Sequence, residues 1–468
     1  MQSEIADHIA NISVIDTHTH MRGDHAWEGS NAPDILSDLF GGYCASDLIV
    51  AGAAPEAVAR LKDSGNEDLE GRFADVAAAW NMTQFTGYGE AVRIAARDLY
   101  EIEALSGATI REGQQRLKAL QGTGGCVAIL RDRAKLDHVQ ADLGLHVIDL
   151  PRSSAEFFLR DLSWFSLATG AIADPVLEEA TGVPVQNLGT LRQAMEGLFA
   201  RCAPLSIALK SQHAYVRTLA WHKRADADAE RAVQVVLEGG PGSDDSQSEA
   251  RLCLGDWCLG RGVELARAYQ LPIKIHTGYL AGTAETGSYM PIDRLRAGHL
   301  APLLMEYPNA RFVLMHIAYP YSDELVALAK HFGNVYVDLC WAWSINPLAT
   351  KDFVRRFLHA VPMNKLFAFG DDAATPSMAY ACAVRMRRWL SRALDEEVAD
   401  GFMTTRQAMD GATQLLRGNQ LACFDIEGRQ RAVRNAVSTS ERHPWPYRYD
   451  SVASARETAR DMDTSKAR

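Results

Sequence analysis

Short apolar runs alternate with longer segments of helical periodicity through the second half of the chain. The runs cover residues 205–209, 271–275, 312–315, 335–339 and 366–369. Strands this short, separated by helical segments of about ten or more residues, are typical of a parallel sheet, because each parallel connection has to cross back over the sheet. The pattern therefore predicts an α/β fold built on a parallel sheet.

Another apolar strand is predicted near the start, where residues 14–20 contain the sequence Val-Ile-Asp-Thr-His-Thr-His. Because side chains alternate along a strand, Asp16, His18 and His20 share one face, and the two imidazoles lie about 6 to 7 Å apart along the backbone. Two imidazoles so placed can converge on one divalent metal. A lone His-x-His motif is more often a pair of surface histidines on an edge strand, but the position of this pair at the end of an apolar strand favours the metal site.

Polar residues also end the later strands. Lys210, His276 and His316 directly follow their apolar runs, and Asp372 comes three residues after the last run. A single histidine after a strand is ordinarily a hydrogen-bonded polar residue with no further role. Candidates at the ends of five strands, however, indicate a barrel whose site lies at the C-terminal rim, where the strand ends converge.

The length of 468 residues allows either two ordinary domains or one barrel with insertions. Apolar residues at helical spacing in 34–47 and 91–105 predict a helical insertion over about 23–118, directly after the first strand. From residue 441 the composition becomes polar and charged, which predicts a surface tail over 441–468. We therefore expect a single barrel domain over residues 1–440.

Composition excludes several classes of protein. A net charge of −11 argues against sequence-independent nucleic-acid binding, which needs a basic face. No run of about 18 uncharged apolar residues and no basic-then-apolar start occurs, so we expect a cytoplasmic protein that does not bind membranes. Eight cysteines without a Cys-x-x-Cys motif predict buried, reduced thiols. The oligomeric state stays open, and a homo-oligomer is among the options.

Four motifs together resemble the amidohydrolase superfamily. They are Ile-Asp-Thr-His-Thr-His, Ile-His-Thr-Gly at His276, Met-His-Ile-Ala-Tyr-Pro-Tyr at His316 and Phe-Gly-Asp-Asp ending at Asp372. The resemblance spans most of residues 10–425, and is closer to the branch that includes the nodulin-like proteins fused to glutamine synthetases. It implies a distorted (β/α)8 TIM barrel, to which the helical periodicity adds an insertion after strand 1 and C-terminal helices. It also implies one or two bound divalent metals.

The resemblance implies four metal-ligand candidates, namely His18, His20, His276 and Asp372. His276 is alternatively a substrate contact, and His316 either orients the substrate or completes the metal shell. The doubled Asp371-Asp372 leaves a one-residue ambiguity, and we prefer Asp372 because the motif usually has the form Phe-Gly-x-Asp. Zn²⁺ is the expected ion, with Mn²⁺ as the alternative.

These residue types suit metal-assisted hydrolysis. A bound Zn²⁺ or Mn²⁺ polarises a carbonyl and lowers the pKa of its water toward about 7. A carboxylate such as Asp372 can take the proton from that water and pass it to the leaving group. Asp372, His316 and His276 are therefore the predicted catalytic residues.

Five further residues are predicted to bind the substrate: Lys210, Tyr215, Arg217, Trp341 and Trp343. For Lys210 three interpretations stay open: a carbamylated lysine that bridges two metals, a cation that faces a substrate carboxylate, and a buried ion pair. We prefer the second. The other four are expected to form an anion-binding pocket with an aromatic wall, although aromatic residues at such positions also serve in core packing.

The favoured function is a hydrolase acting on an amide, or less readily an ester or lactone, of a small carboxylate-bearing substrate. The alternative is isomerisation of hexuronates, because the uronate isomerases resemble this chain in the first-strand His-x-His and in the long helical insertion. A third hypothesis is a scaffold that has kept the fold without activity, and the intact set of ligands argues against it. Fold alone does not decide among these.

Overall fold

A computed structural model describes residues 3–28, 32–144, 150–151, 153–173, 175–239, 245–282 and 291–440. The predicted tail over 441–468 lies outside these residues. Among the described helices, none is both long and apolar enough to cross a membrane.

Eight parallel strands form a single sheet in chain order, each paired with the next. They are β1 (Val14–Thr19), β2 (Leu136–Ala141), β3 (Phe158–Ser163), β4 (Ser206–Ser211), β5 (Ile273–Ile275), β6 (Phe312–Met315), β7 (Val335–Asp338) and β8 (Leu366–Phe367).

Backbone hydrogen bonds between β1 and the segment that follows β8 close the sheet into a barrel. The Thr17 amide donates to the Phe369 carbonyl at 3.2 Å, and the Asp372 amide donates to the His18 carbonyl at 2.9 Å. The predicted TIM barrel is confirmed.

Helix α1 (Glu4–Asn11) precedes the barrel, and eight more described helices lie between β1 and β2. These are α2 (Ile35–Phe40), α3 (Cys44–Val50), α4 (Pro55–Lys62), α5 (Leu69–Ala74), α6 (Ala77–Thr83), α7 (Gly87–Tyr100), α8 (Gly107–Leu120) and α9 (Gly125–Val127). A π-helical turn at Ala128–Arg133 leads from α9 into β2. The chain therefore makes a long helical excursion directly after the first strand.

From β3 onward, helices of the barrel wall connect consecutive strands. They are α10 (Phe165–Ala168), α11 (Pro175–Thr181) and α12 (Leu188–Cys202) before β4, α13 (Asp226–Leu237) and α14 (Glu249–Ala268) before β5, α15 (Ala301–Glu306) before β6, α16 (Ser322–His331) before β7, and α17 (Ala342–Ile345) and α18 (Pro347–Ala360) before β8. Within the described residues, four α-helices follow the barrel: α19 (Pro376–Ala399), α20 (Thr405–Thr413), α21 (Asn419–Cys423) and α22 (Ile426–Ser440).

Helix α19 holds the excursion against the barrel. It starts at a capping threonine, since the Thr375 hydroxyl accepts from the Met378 amide. Its buried positions recur at helical spacing, as in Ala379, Ala383, Met386 and Leu390, which gives it an apolar face. Helix α7 of the excursion packs on α19. The excursion is thereby fixed over one side of the barrel.

A buried carboxylate reinforces this packing. Asp38 of α2 accepts hydrogen bonds from the Trp27 indole at 2.9 Å, from the Tyr100 hydroxyl at 2.7 Å and from the Ser377 hydroxyl of α19. Burial raises the pKa of Asp38, and the three donors oppose that rise. Three separate segments therefore depend on one acceptor that water does not reach.

We expect Asp38→Ala to lower the free energy of unfolding by at least about 3 kcal/mol, because each buried donor left without a partner costs roughly 1–3 kcal/mol. Chemical denaturation measures the change. Asp410→Ala, which removes an exposed carboxylate from α20, is the matched control and should change stability little. Equal effects of the two substitutions would contradict the role given to Asp38.

Candidate metal centre

The closure between β1 and β8 brings one carboxylate to two histidines. His18 lies within β1 and is buried, and His20 follows the strand directly. The Asp372 amide is bonded to the His18 carbonyl, and a left-handed φ of +55° at Asp372 turns its side chain at this point of the rim. The backbone ladder itself therefore places the three side chains together.

The three side chains offer ligand atoms that all lie within 4.8 Å of one another. Asp372 Oδ1 is 3.3 Å from His18 Nε2 and 3.0 Å from His20 Nε2. Nevertheless, this oxygen accepts no hydrogen bond of normal geometry from any described residue. Ligands held about 2.0–2.2 Å from one Zn²⁺ stand roughly 3 to 3.5 Å apart in a tetrahedral site. The donor set and its spacing therefore fit a divalent metal.

Hydrogen bonding and charge prepare this group for a cation. His20 Nδ1 is 2.8 Å from the Asp142 carbonyl, which fixes the proton on Nδ1 and leaves Nε2 as the ligand atom. Burial raises the pKa of Asp372, but the electrostatic interaction with the neighbouring His18 and His20 outweighs this effect. The pKa of Asp372 therefore lies well below its ordinary value. Burial and the nearby Lys210 lower the pKa of His18. An ionised Asp372 and a neutral His18 are the forms that bind metal.

Among the described residues, Asp371 forms no ion pair with a histidine. Its carboxylate accepts from the Ala373 amide at 2.7 Å, and burial together with the neighbouring Asp16 raises the pKa of Asp371 well above its ordinary value. Asp16 in turn accepts from the amides of His18 and Asp371. Asp372, and not Asp371, is therefore the carboxylate beside the histidine pair.

His316 approaches from β6 on a strained turn. Its Nδ1 is 3.0 Å from the Cys340 carbonyl and 3.9 Å from Asp372 Oδ2. Burial lowers the pKa of His316 to about 3, so the ring is neutral. His316, Ile317 and Ala318 all have left-handed φ, at +64°, +49° and +48°. Such values are costly for residues with a Cβ, and for a branched side chain most of all.

Neighbouring loops leave this turn little freedom. A Cβ on Gly278 would stand 2.4 Å from the Ala318 carbonyl carbon, so only glycine allows the β5 loop to approach this closely. The Thr277 hydroxyl donates to the Met315 carbonyl at 2.5 Å. These contacts within the fold hold the turn that carries the His316 ring.

His276 lies beside His316, with ring centroids 4.3 Å apart. Its Nε2 is 2.9 Å from the Tyr279 carbonyl. His276 does not belong to the group of candidate ligands formed by His18, His20 and Asp372. The structure thus brings His276 to the site without deciding between a metal ligand and a substrate contact.

Lys210 is 1% exposed and its ammonium lies at the centre of the site. The Nζ atom is 3.3 Å from His18 Nε2 and 3.2 Å from Met315 Sδ. Within the described part of the chain, no carboxylate forms an ion pair with it. A buried cation without a counter-ion is costly, so a substrate carboxylate or a carbamate accounts for Lys210 better than a structural ion pair does.

Tyr215 and Trp341 also lie at the site. The Tyr215 ring packs edge-on against His276 at 4.9 Å, and the Trp341 ring packs edge-on against His316 at 5.3 Å. The Trp341 indole nitrogen is buried and has no partner among the described residues. Both aromatic rings therefore lie beside the histidines of the site, and their part in a substrate pocket stays a prediction.

Arg217 and Trp343 are placed elsewhere, which corrects two expectations. The Arg217 guanidinium is buried in an ion pair with Asp256 of α14 at 2.6 Å and donates to backbone carbonyls. The Trp343 indole donates to the Ala368 carbonyl at 2.9 Å within the main apolar core. Both side chains serve the packing of the barrel wall, so neither is available to a ligand at the metal centre.

The sequence did not reveal the tyrosines of the excursion. The Tyr43 ring, just before α3, packs at a tilt of 39° against Trp341 with centroids 4.7 Å apart, and the Tyr88 ring of α7 is nearly parallel to Trp341 at 6.3 Å. Burial raises the pKa of Tyr43, and the nearby charge of Asp372 adds to the rise. The Tyr88 hydroxyl is buried without a partner in the described residues. Aromatic residues on helices give no sequence signal that separates such a role from core packing.

A parallel eight-stranded barrel with histidines and an aspartate at its C-terminal rim is typical of metal-dependent barrel enzymes. Residues 183–400 match the family model described as Amidohydrolase. This match covers a little under half of the chain and agrees with the resemblance of its motifs to the amidohydrolase superfamily.

One curated relative, Protein fluG of Emericella nidulans, is 28% identical over 182 residues. That match covers 37% of this chain and 20% of the relative, so the chain spans only a fifth of that protein's length. The proposed nodulin-like branch stays a prediction.

Three solved structures share the fold. Uronate isomerase from Thermotoga maritima is 14% identical with a TM-score of 0.69, covering 90% of this chain and 96% of its own. Glucuronate isomerase from Caulobacter crescentus is 16% identical with a TM-score of 0.71, covering 90% and 92%. A candidate metal-dependent hydrolase from Lactobacillus casei is 15% identical with a TM-score of 0.62, covering 92% and 99%. At these identities the likeness extends to the fold alone.

The double variant His18→Ala/His20→Ala should fold but lose about one equivalent of bound metal per chain, because a single carboxylate does not hold a divalent ion of this kind. Elemental analysis of purified, dialysed protein measures the loss. The control is His222→Ala/His331→Ala, which removes two exposed histidines. Unchanged metal content in the first variant would contradict the assignment of the centre.

Proposed function

We propose that this protein is a metal-dependent hydrolase that cleaves an amide, or less readily an ester or lactone, of a small carboxylate-bearing substrate. The observation that carries the proposal is the group formed by His18, His20 and Asp372, whose ligand atoms converge at the mouth of the barrel. Zn²⁺ is the ion we propose, because imidazole and carboxylate ligands suit it; Mn²⁺ is the alternative.

A divalent ion held by these residues would polarise a substrate carbonyl and supply a water whose pKa is lowered toward about 7. Asp372 is the proton carrier. Its carboxylate borders both the histidine pair and His316, so it can take a proton from a nucleophile on one side and return it to a leaving group on the other. His316, neutral and fixed by the Cys340 carbonyl, orients the substrate beside it.

The substrate carboxylate is bound by Lys210, whose buried ammonium lacks an anionic partner in the described chain. The wall of the pocket is aromatic, formed by Trp341, Tyr215 and the two excursion tyrosines Tyr43 and Tyr88. The unpartnered Trp341 indole and Tyr88 hydroxyl can donate to acceptors on the substrate. We propose that residues 1–440 act as one barrel domain in which the insertion, about 23–118, supplies part of this wall.

Isomerisation of hexuronates is the second candidate. The observation that favours it is the excursion after β1, which reaches the metal centre through Tyr43, together with barrel relatives named as uronate and glucuronate isomerases. In that reaction a base moves a proton between neighbouring carbons and no water attacks. Lys210 would bind the uronate carboxylate in the same manner.

Screening metal-loaded protein against N-acyl amino acids and against hexuronates separates the two functions. In whichever reaction is found, Asp372→Asn should lower kcat by about 10² to 10⁴, the usual contribution of one proton-transfer group. Asp371→Asn is the matched control and should keep most of the turnover, because Asp371 is buried with a raised pKa and a neutral amide resembles its protonated form. The reverse result would place the catalytic carboxylate one residue earlier.

Lys210→Ala tests the substrate contact. A lost charge-assisted contact of roughly 1.5–3 kcal/mol should raise KM about tenfold or more and leave the metal content unchanged. Metal analysis and steady-state kinetics on the same preparation measure both quantities. A loss of one metal per chain, with reconstitution of the wild type that depends on added bicarbonate, would instead assign Lys210 as a carbamylated bridge.

A further inference from the structure

A cavity of about 420 Å³ lies where the helical excursion meets the barrel wall, and none of the residues that line it belongs to the candidate metal centre. We call it the junction cavity. The excursion and the barrel helices both contribute to its lining, which includes Phe85, Gly87, Glu90, Arg93, Ile345 and Trp389. Its volume falls in the range of roughly 300–1,000 Å³ that is usual for ligand pockets.

Two arginines stand over the aromatic rings of the junction cavity. Arg93 Cζ is 5.3 Å from the centre of the Phe85 ring, and Arg392 Cζ is 4.8 Å from the centre of the Trp389 ring. Neither guanidinium forms an ion pair within the described part of the chain. The Phe85 side chain is 74% exposed although it is large and apolar. An exposed ring beside an unpaired guanidinium offers a ligand both an apolar surface and a positive charge.

Positive charge exceeds negative charge around the junction cavity. Among its described lining residues, Glu90 alone carries a carboxylate, and Arg388 already pairs with it at 2.7 Å. Behind the cavity, Arg385 is completely buried and donates to the Gly87 carbonyl and to the Ser344 hydroxyl. Its Nε has no partner, and no carboxylate pairs with it, in the residues that the structure describes. A nearby anion would stabilise such a buried cation.

The junction cavity adjoins the aromatic wall of the proposed substrate pocket. Gly87 lines the cavity, and the next residue, Tyr88, lies nearly parallel to Trp341 at 6.3 Å. A Cβ on Gly87 would stand 2.1 Å from the Ser344 carbonyl oxygen, so only glycine lets α7 begin this close to α17. A ligand in the cavity would therefore contact the first turn of the helix that carries Tyr88.

We propose that the junction cavity binds an aromatic anion, that is, a planar ring that bears a phosphate or a carboxylate group. The ring packs against Phe85 and Trp389, which line the cavity. Arg93 binds the anionic group, because a guanidinium suits the paired oxygens of phosphate and carboxylate. Arg385 and Arg392 add to the positive potential. This binding site is separate from the proposed reaction at the metal centre and does not depend on it.

Phenyl phosphate is the probe, and isothermal titration calorimetry on the full-length protein measures its binding. About one molecule per chain should bind, at least about tenfold more tightly than phenol or inorganic phosphate, because each of these lacks one of the two groups that the cavity recognises. Benzoate is titrated in parallel. Tight binding of either ring-bearing anion supports the proposal, and the tighter of the two identifies the anionic group.

Arg93→Ala should weaken this binding about tenfold or more, because it removes the charge that holds the anionic group. The matched control is Arg97→Ala, one turn further along α7, where Arg97 pairs with Asp98 at 2.7 Å and does not line the cavity. Arg93 is exposed, so its replacement should leave the fold intact, which circular dichroism checks. Equal effects of the two substitutions would overturn the proposal.

The barrel offers the probe a second cation, Lys210, so Lys210→Ala is titrated as well. This variant should keep the tight binding that Arg93→Ala loses. The opposite pattern would place the probe in the barrel and overturn the junction cavity as its site. Ring-bearing anions that bind no more tightly than phenol or inorganic phosphate would also overturn it. Neither result bears on the metal centre, whose metal content and turnover are measured without the probe.

Discussion

The hydrogen bonds that join β1 to the end of β8 are the constraint on which the site depends. They close a barrel whose first and last strands are separated by most of the chain, and one of them joins the Asp372 amide to the His18 carbonyl. The carboxylate therefore reaches the histidine pair because the sheet is closed and not because the side chains attract each other. The proposed metal binding and proton transfer thus depend on the same structural element as the fold.

Much of the barrel and its rim followed from local patterns, because apolar strands and their polar last residues are short-range features. Strands β2 and β3 could not be predicted from such local patterns. Each carries buried polar side chains, such as His138 and Gln140 in β2 and Arg160 and Asp161 in β3. Asp161, for example, is satisfied by Lys274 of β5 at 2.9 Å. A pairing over such a distance in sequence leaves no periodic trace, so these strands do not resemble apolar runs.

The candidate site likewise contains residues that local patterns predict and residues that they do not. His18, His20 and Asp372 could be predicted because strand alternation and a motif fix their direction. Arg217 and Trp343 were expected only because they follow strand ends closely, and the turns after a strand end can send neighbours in opposite directions. The left-handed turn at Trp341 directs that ring to the site, while Trp343 points into the core. Tyr43 reaches Trp341 from a different helical segment, which only the folded chain brings close.

The three left-handed residues after β6 carry a cost that the rest of the fold must offset, about 1–2 kcal/mol for a residue with a Cβ. Under the proposed function, the His316 ring then stands in position before the substrate arrives, so that binding does not have to order it. Stability and catalytic readiness are therefore opposed at this turn. Variants selected only for thermal stability are expected to lose the left-handed backbone at this turn. Such proteins would be more stable and would bind their substrate less well.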